Sequence, residues 1–178
     1  MSQLIPRVSE LDHHQGPLDA PSVLVEFGDY ECPHCAAVHP IIQQLLQEVG
    51  DQLCFVYRHF PLTEIHPHAE QAAEAAEAAA AQGRFFEMHN ALYENSPALD
   101  LPDLVNYARQ VGLDADRFRV ELRGRLYISR VQPNIESGLQ SGVNGTPTFF
   151  VNGVRYRGSY DLDSLLEVSR GRALPGPR

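Results

Sequence analysis

The spacing of apolar residues changes several times along the chain, and each change marks a predicted element. Val23-Leu24-Val25-Glu26-Phe27 is a short apolar run, partly β-branched, that ends at Gly28 and reads as a buried strand. From Pro33 the period lengthens: Val38, Ile41, Ile42, Leu45, Leu46 and Val49 share one i, i+3, i+4 stripe, stopped by Gly50. A second strand is predicted at Leu53-Cys54-Phe55-Val56-Tyr57, so the three pieces read as a βαβ unit with a right-handed crossover. The middle of the chain is helical. Pro67 suits a first helical turn, and nine of the thirteen residues from Ala69 to Ala81 are alanine, a composition made for close helix packing. After Gly83 the stripe resumes from Phe85 to Tyr93. Asp100 reads as the N-cap of a helix ending near Gly112, and Asp114 as the cap of another. A further helical stretch runs from about Arg125 to Leu139, where Pro133 is expected to kink or split it. Period two then returns. Thr148-Phe149-Phe150-Val151, the dipeptide Asn152-Gly153 and Val154-Arg155-Tyr156-Arg157 form a hairpin signal, because Asn-Gly suits a type I′ turn. Asp161 opens a last helix through Leu165, Leu166 and Val168.

Residues 1–20 read as an extended lead-in, with His13-His14 in a flexible stretch and Gly16-Pro17 as punctuation. The order β, α, β, helical block, β, β, α predicts one α/β domain, residues 1–62 and 140–178, interrupted by a helical subdomain at 63–139. A length of 178 residues accommodates this. With 43% hydrophobic and 21% charged residues the balance is that of a globular chain, which argues against disorder. The formal charge of -9 repels phosphate backbones and argues against a nucleic-acid partner. The opening Met1-Ser2-Gln3-Leu4-Ile5-Pro6-Arg7 lacks the apolar core of a secretory signal, and no stretch is long enough to span a bilayer. The expectation is a cytoplasmic protein without membrane insertion, or a periplasmic one if the natural start has been trimmed.

Three cysteines cannot make a disulfide framework, but Cys32 and Cys35 sit three apart, a spacing that points to redox chemistry or to a metal. A structural zinc site needs four ligands, whereas this chain offers one Cys-x-x-Cys pair, a lone Cys54 and scattered histidines, so no metal is expected. The strand-to-helix context favours redox chemistry. Cys32 falls just before the predicted helix and Cys35 in its first turn, on one face, so the sulfurs can close a disulfide. Pro33 fixes the first helical position without removing a needed donor. The free N–H groups of that turn, the helix dipole and a protonated His34 all favour a Cys32 thiolate, the nucleophile of disulfide exchange. Cys32 is then the outer, attacking sulfur and Cys35 the shielded one. The Cys32–Cys35 disulfide is the only redox group implied, with no further cofactor. Cys54 reads as a core residue, and capping and solvation account for His66 and His68 beside Pro67.

On these residues the sequence resembles the thioredoxin superfamily, specifically its DsbA-like branch with a helical insertion. Cys32-Pro33-His34-Cys35 is similar to the DsbA active-site motif. Pro40 matches the proline that kinks the first helix, Glu26 falls where such proteins keep a buried carboxylate, and Thr146-Pro147 resembles the cis-proline loop facing the cysteines. The resemblance implies a thioredoxin-like fold, a Glu26 of raised pKa that moves a proton to or from Cys35, and a Thr146 backbone open to an extended substrate segment. It also implies protein or peptide thiols and disulfides as partners, together with a separate redox partner, and similar domains occur fused to membrane transporters. Two other readings stay open: a redox-sensing peptide-binding or chaperone module, and a glutathione-dependent transferase or isomerase. The direction of exchange is open as well.

Overall fold

The two apolar runs of the N-terminal half lie side by side at the centre of a five-stranded sheet in the computed structural model, which describes residues 2–171. Met1 and residues 172–178, assigned from sequence to the sheet-bearing domain, lie outside the described residues. The elements in chain order are β1 (His13–Gln15), β2 (Ser22–Gly28), α1 (Pro33–Val49), β3 (Leu53–His59), α2 (Ala69–Ala80), α3 (Phe85–Asn95), α4 (Leu101–Gln110), α5 (Ala115–Arg123), α6 (Ile128–Gln140), β4 (Thr148–Val151), β5 (Val154–Arg155) and α7 (Leu162–Ser169). The strands are ordered β1-β3-β2-β4-β5. Among the described strands only β2 and β3 pair in parallel, and α1 supplies the crossover that a parallel pair needs. This is an α/β sheet flanked by helices, with five of those helices falling between β3 and β4 in the chain.

Successive side chains of a strand point to opposite faces, and both faces here are covered. Leu24, Phe55, Tyr57 and Phe149 join the larger core, with Cys35, Val38, Ile42 and Leu45 of α1 and with Met88 and Leu92 of α3. Val25, Phe27, Cys54, Val56 and Phe150 form a smaller core on the other face with Leu4, Phe60 and Val143. Each large aliphatic or aromatic side chain so buried stabilises the fold by roughly 1.5–3 kcal/mol relative to exposure. Glu26 pairs in register with Tyr57 and Phe149 and therefore faces the α1 side, a carboxyl among apolar and aromatic groups.

The local signals work as expected at the helix ends. Asp100, Asp114 and Asp161 accept hydrogen bonds from the backbone N–H groups of Asp103, Arg117 and Ser164. Asn152 and Gly153 take φ values of 49° and 82°, both left-handed, as a type I′ turn requires. In α2 the alanines pack inward with Glu74 and Glu77 buried among them. Glu74 is bound by Arg125, and Glu77 by His13 and His59.

Four expectations need correction. The lead-in is not merely extended: His13–Gln15 pairs antiparallel with β3, a tertiary partnership that a three-residue polar strand cannot announce. The helical stretch expected from Arg125 starts at Ile128, because Arg125 sits at φ 53°, outside helical geometry, with its guanidinium on Glu74. Pro133 does not split α6, which runs unbroken through it. The second hairpin strand is also shorter than read, ending at Arg155.

Candidate active site

The site begins where β2 gives way to a three-residue loop, Asp29-Tyr30-Glu31, leading into α1. Asp29 is 1% exposed and acts as the loop's anchor. Its carboxylate accepts from Glu31 N at 2.8 Å and Leu62 N at 2.9 Å and pairs with His66 Nδ1 at 2.7 Å. Its carbonyl accepts from Cys32 N at 3.1 Å. Glu31 in turn receives His68 N at 2.7 Å and pairs with His68 Nδ1 at 2.9 Å. Capping and solvation are thus a poor account of His66 and His68, since both tie the segment after β3 to the cysteine loop. Burial pulls the His66 imidazole down, but its hydrogen bond to Asp29, with the charges of Asp29, Cys32 and Glu31, raises it overall.

Cys32 is the N-cap of α1, with φ -74° and ψ 121°, and its side chain makes no cap bond, which leaves first-turn N–H groups unsatisfied next to it. Pro33 occupies the first helical turn. Cys32 is 3% exposed as a residue and Cys35 is fully enclosed. A hydrogen bond from the Cys35 thiol is the largest influence on Cys32. Burial opposes it, while the neighbouring Thr146 side chain and the N–H groups of Cys35 and His34 reinforce it, bringing the Cys32 thiol down from 9.0 to about 5. Cys35 moves the other way: burial first, then its bond to Cys32 and the charges of Glu26 and Cys32, push it far above the ordinary thiol range. Two cysteines one turn apart thus have opposite characters.

Glu26 lies beneath them, 2% exposed, with Oε1 buried and unpartnered. Burial, and then the negative charge of Cys32, raise its carboxyl from 4.5 to about 8. The Thr146-Pro147 peptide is cis, and the Thr146 carbonyl accepts from the Cys32 thiol at 3.5 Å. Beside the sulfur, His34, Val38, Ile41, Thr146, Pro147 and Tyr160 line an apolar cleft. The structure therefore brings Glu26, Cys32, Cys35, Thr146 and Pro147 together. His34 contributes differently from expectation: its ring is exposed and it is its backbone N–H that acts on Cys32.

Sequence reading missed the floor of the site. Tyr57 and Tyr93 hydroxyls are 2.8 Å apart, and Tyr30 pairs with His89 Nδ1 at 2.9 Å, all four residues buried. Gly28 makes room for them, since a Cβ there would lie 2.5 Å from the Tyr57 ring and 2.6 Å from the Tyr93 hydroxyl. The available signal was polar aromatic residues within apolar stripes, a pattern that each stripe alone explains equally well as ordinary core.

Comparison with known proteins places this geometry. A family model described as thioredoxin matches residues 9–168. Over 162 residues the chain is 44% identical to the Na(+)/H(+) antiporter NhaA 1 of Salinispora arenicola, covering 91% of this chain and 25% of that protein. The chain thus spans about a quarter of the length of that curated relative. Among solved structures, a thioredoxin-like oxidoreductase from Silicibacter pomeroyi superposes with a TM-score of 0.79 at 27% identity, covering 92% of this chain and 94% of the other. The thiol-disulfide exchange protein alpha-DsbA2 of Wolbachia pipientis superposes with a TM-score of 0.80 at 21% identity, covering 93% and 89%. Among the described residues, no helix is long and apolar enough to cross a membrane.

Proposed function

Because the chain belongs to the thioredoxin superfamily, we propose that it is a DsbA-like dithiol–disulfide oxidoreductase that exchanges disulfides with protein or peptide thiols through Cys32 and Cys35. The observation that carries this reading is the split between the two sulfurs: Cys32 is held as a thiolate near neutral pH and Cys35 as a thiol. Exchange needs a thiolate to attack and a second thiol that waits.

In the reducing direction the Cys32 thiolate attacks one sulfur of a substrate disulfide. A Cys32–substrate bond forms, the substrate bond breaks, and the other substrate sulfur leaves as a thiolate. Cys35 then loses its proton to ionised Glu26 and attacks Cys32 Sγ, which closes the Cys32–Cys35 disulfide and releases the second substrate thiolate. Two electrons have passed from the dithiol to the substrate. In the oxidising direction every step reverses: a substrate thiolate opens the disulfide at Cys32, and Glu26 returns the proton to Cys35. A carboxyl with a pKa of about 8 is suited to both halves, being near the point of exchange at neutral pH. The apolar cleft beside Thr146 and Pro147 suits an extended peptide, whose backbone would pair with that of Thr146. Stabilising the Cys32 thiolate favours the reduced pair and so makes the disulfide oxidising. The reduction potential should fall between the about -270 mV of thioredoxin and the about -120 mV of DsbA, two reference systems of known potential.

Insulin reduction by dithiothreitol-coupled turnover tests the reading. Wild type should accelerate it, Cys32→Ser should abolish the acceleration, and Cys35→Ser should accumulate a mixed disulfide with substrate. Absence of turnover by wild type would sink it in favour of a redox-sensing module. That second reading draws on the 44% identity to a quarter of an antiporter.

A further inference from the structure

Away from the cysteines, three donor groups from three elements meet at the seam between the sheet and the helical block. His13 on β1, His59 at the end of β3 and Glu77 on α2 each present one ligand atom, and these atoms all lie within 4.8 Å of one another. Both Nε2 atoms address the same oxygen, Glu77 Oε1, at 2.7 Å from His13 and 2.9 Å from His59. Aromatic packing also holds the rings. His13 lies flat on Phe85, with centroids 3.7 Å apart and planes 8° from parallel, and His59 meets Phe85 and Tyr57 edge-on. His59 and Glu77 are buried, whereas a quarter of the His13 side chain is exposed, and a cleft bordered by Arg7, His13, Glu77, Arg130 and Asn134 leads to the trio from solvent.

We propose that His13, His59 and Glu77 form a binding site for a divalent transition-metal ion, zinc being the one this donor set suits best. Two imidazole nitrogens and one carboxylate oxygen are a three-ligand zinc set, with a fourth position left for water on the open side. Calcium and magnesium prefer all-oxygen shells, which this trio does not supply. Binding requires each neutral imidazole to carry its proton on Nδ1, so that the Nε2 lone pair faces the metal. For His59 the proton then leaves Nε2, where it serves the bond to Glu77, for Nδ1, which is buried without a partner, so the coordinate bonds must offset a lost hydrogen bond and an unpaired N–H. The ion would cross-link β1, β3 and α2, exchanging a hydrogen-bonded tie for a coordinate one between the sheet edge and the helical block. The site is near the redox centre but separate from it. The His59 ring lies 6.0 Å from that of Tyr30, two residues before Cys32.

The test uses the full chain with Cys32 and Cys35 oxidised to their disulfide, so that the dithiol cannot take up metal. Co²⁺ titration followed by visible absorption should show one ion per chain in a low-symmetry, four- or five-coordinate spectrum. Zn²⁺ should displace it and raise the melting temperature, and Mg²⁺ should do neither. His13→Ala, on a partly exposed edge strand, should weaken Co²⁺ binding at least about tenfold, since loss even of groups that only support a ligand costs 10–100-fold. Glu77→Gln should weaken it further, and His14→Ala should bind like wild type. Retained insulin reduction by His13→Ala shows that the variant is folded. No stoichiometric uptake by the wild type, or equal uptake by wild type and His13→Ala, would overturn the proposal and leave the trio as a hydrogen-bonded tie.

Discussion

At the scale of single residues, Cys32 and Cys35 show that reactivity follows the environment of a few atoms. Both are buried cysteines in one turn, but hydrogen bonds from Cys35 and from backbone N–H groups outweigh burial at Cys32, whereas burial dominates at Cys35. Alkylation of reduced protein should therefore label Cys32 first, with a rate inflection near pH of about 5 rather than at the ordinary thiol value of 9.0. An inflection at the ordinary value would remove the basis of the proposed chemistry. Glu26 gives a second residue-scale expectation. Its folded pKa lies above the ordinary one, so it favours the fold while protonated. That contribution is complete below 4.5 and is lost as pH rises through about 8. In the oxidised protein the Cys32 charge that helps raise Glu26 is gone, so wild-type stability should fall from pH 4.5 upward over a window that closes below 8, by at most ~1.4 kcal/mol per pH unit from this group. Glu26→Gln should flatten the decline, as denaturant unfolding at several pH values would reveal, and should slow turnover by removing the proton acceptor for Cys35.

The element that matters most is the loop between β2 and α1, whose path is set by the carboxylates of Asp29 and Glu31 together with the buried ring of Tyr30. Asp29 satisfies two backbone N–H groups and one imidazole from two stretches of chain. Asp29→Ala would leave these partly buried groups without their partner, at up to about 1–3 kcal/mol each where water cannot replace it. The expected outcome is a lower unfolding midpoint together with a broader Cys32 alkylation profile, because the loop that aims the sulfur loosens. If the midpoint stayed unchanged, the anchor would be dispensable. Helix packing sets a similar limit at Gly138 in α6, where an added Cβ would lie 2.5 Å from the Phe60 ring. Gly138→Ala should cost about 1–3 kcal/mol by overpacking, measurable by denaturant unfolding.

For the whole molecule, the N-terminal segment is a structural member that ties β3 and α6 together. Arg58 is 3% exposed, and its guanidinium donates to Asp12 at 2.7 and 3.0 Å, to the Pro6 carbonyl at 3.0 Å and to Ser137 Oγ at 2.8 Å. Removing only the carboxylate leaves a buried cation, so Asp12→Ala should cost about 3–5 kcal/mol, more than most surface ion pairs could. Chemical denaturation would show this as a shift in midpoint, and a change within error would mean that solvent replaces the carboxylate. The same edge of the sheet carries His13 toward Glu77, so the segment read as a lead-in connects the sheet to the helical block.

What the sequence determined by itself was everything encoded by short spacings. The strand at 23–27, the stripe of α1, the aspartate caps and the Asn152-Gly153 turn depend on neighbours within a turn or two, and so does the Cys-Pro-His-Cys motif. The tertiary structure alone decided which groups from distant segments meet. It paired His13–Gln15 with β3, closed His66 on Asp29 and His68 on Glu31, and gathered His13, His59 and Glu77. The opposite characters of the two thiols and the raised Glu26, expected from the motif and the resemblance, take their size from the same packing. Those outcomes arise from burial and from contacts between elements far apart in the chain, and neither quantity exists until the sheet and the helical block have packed together.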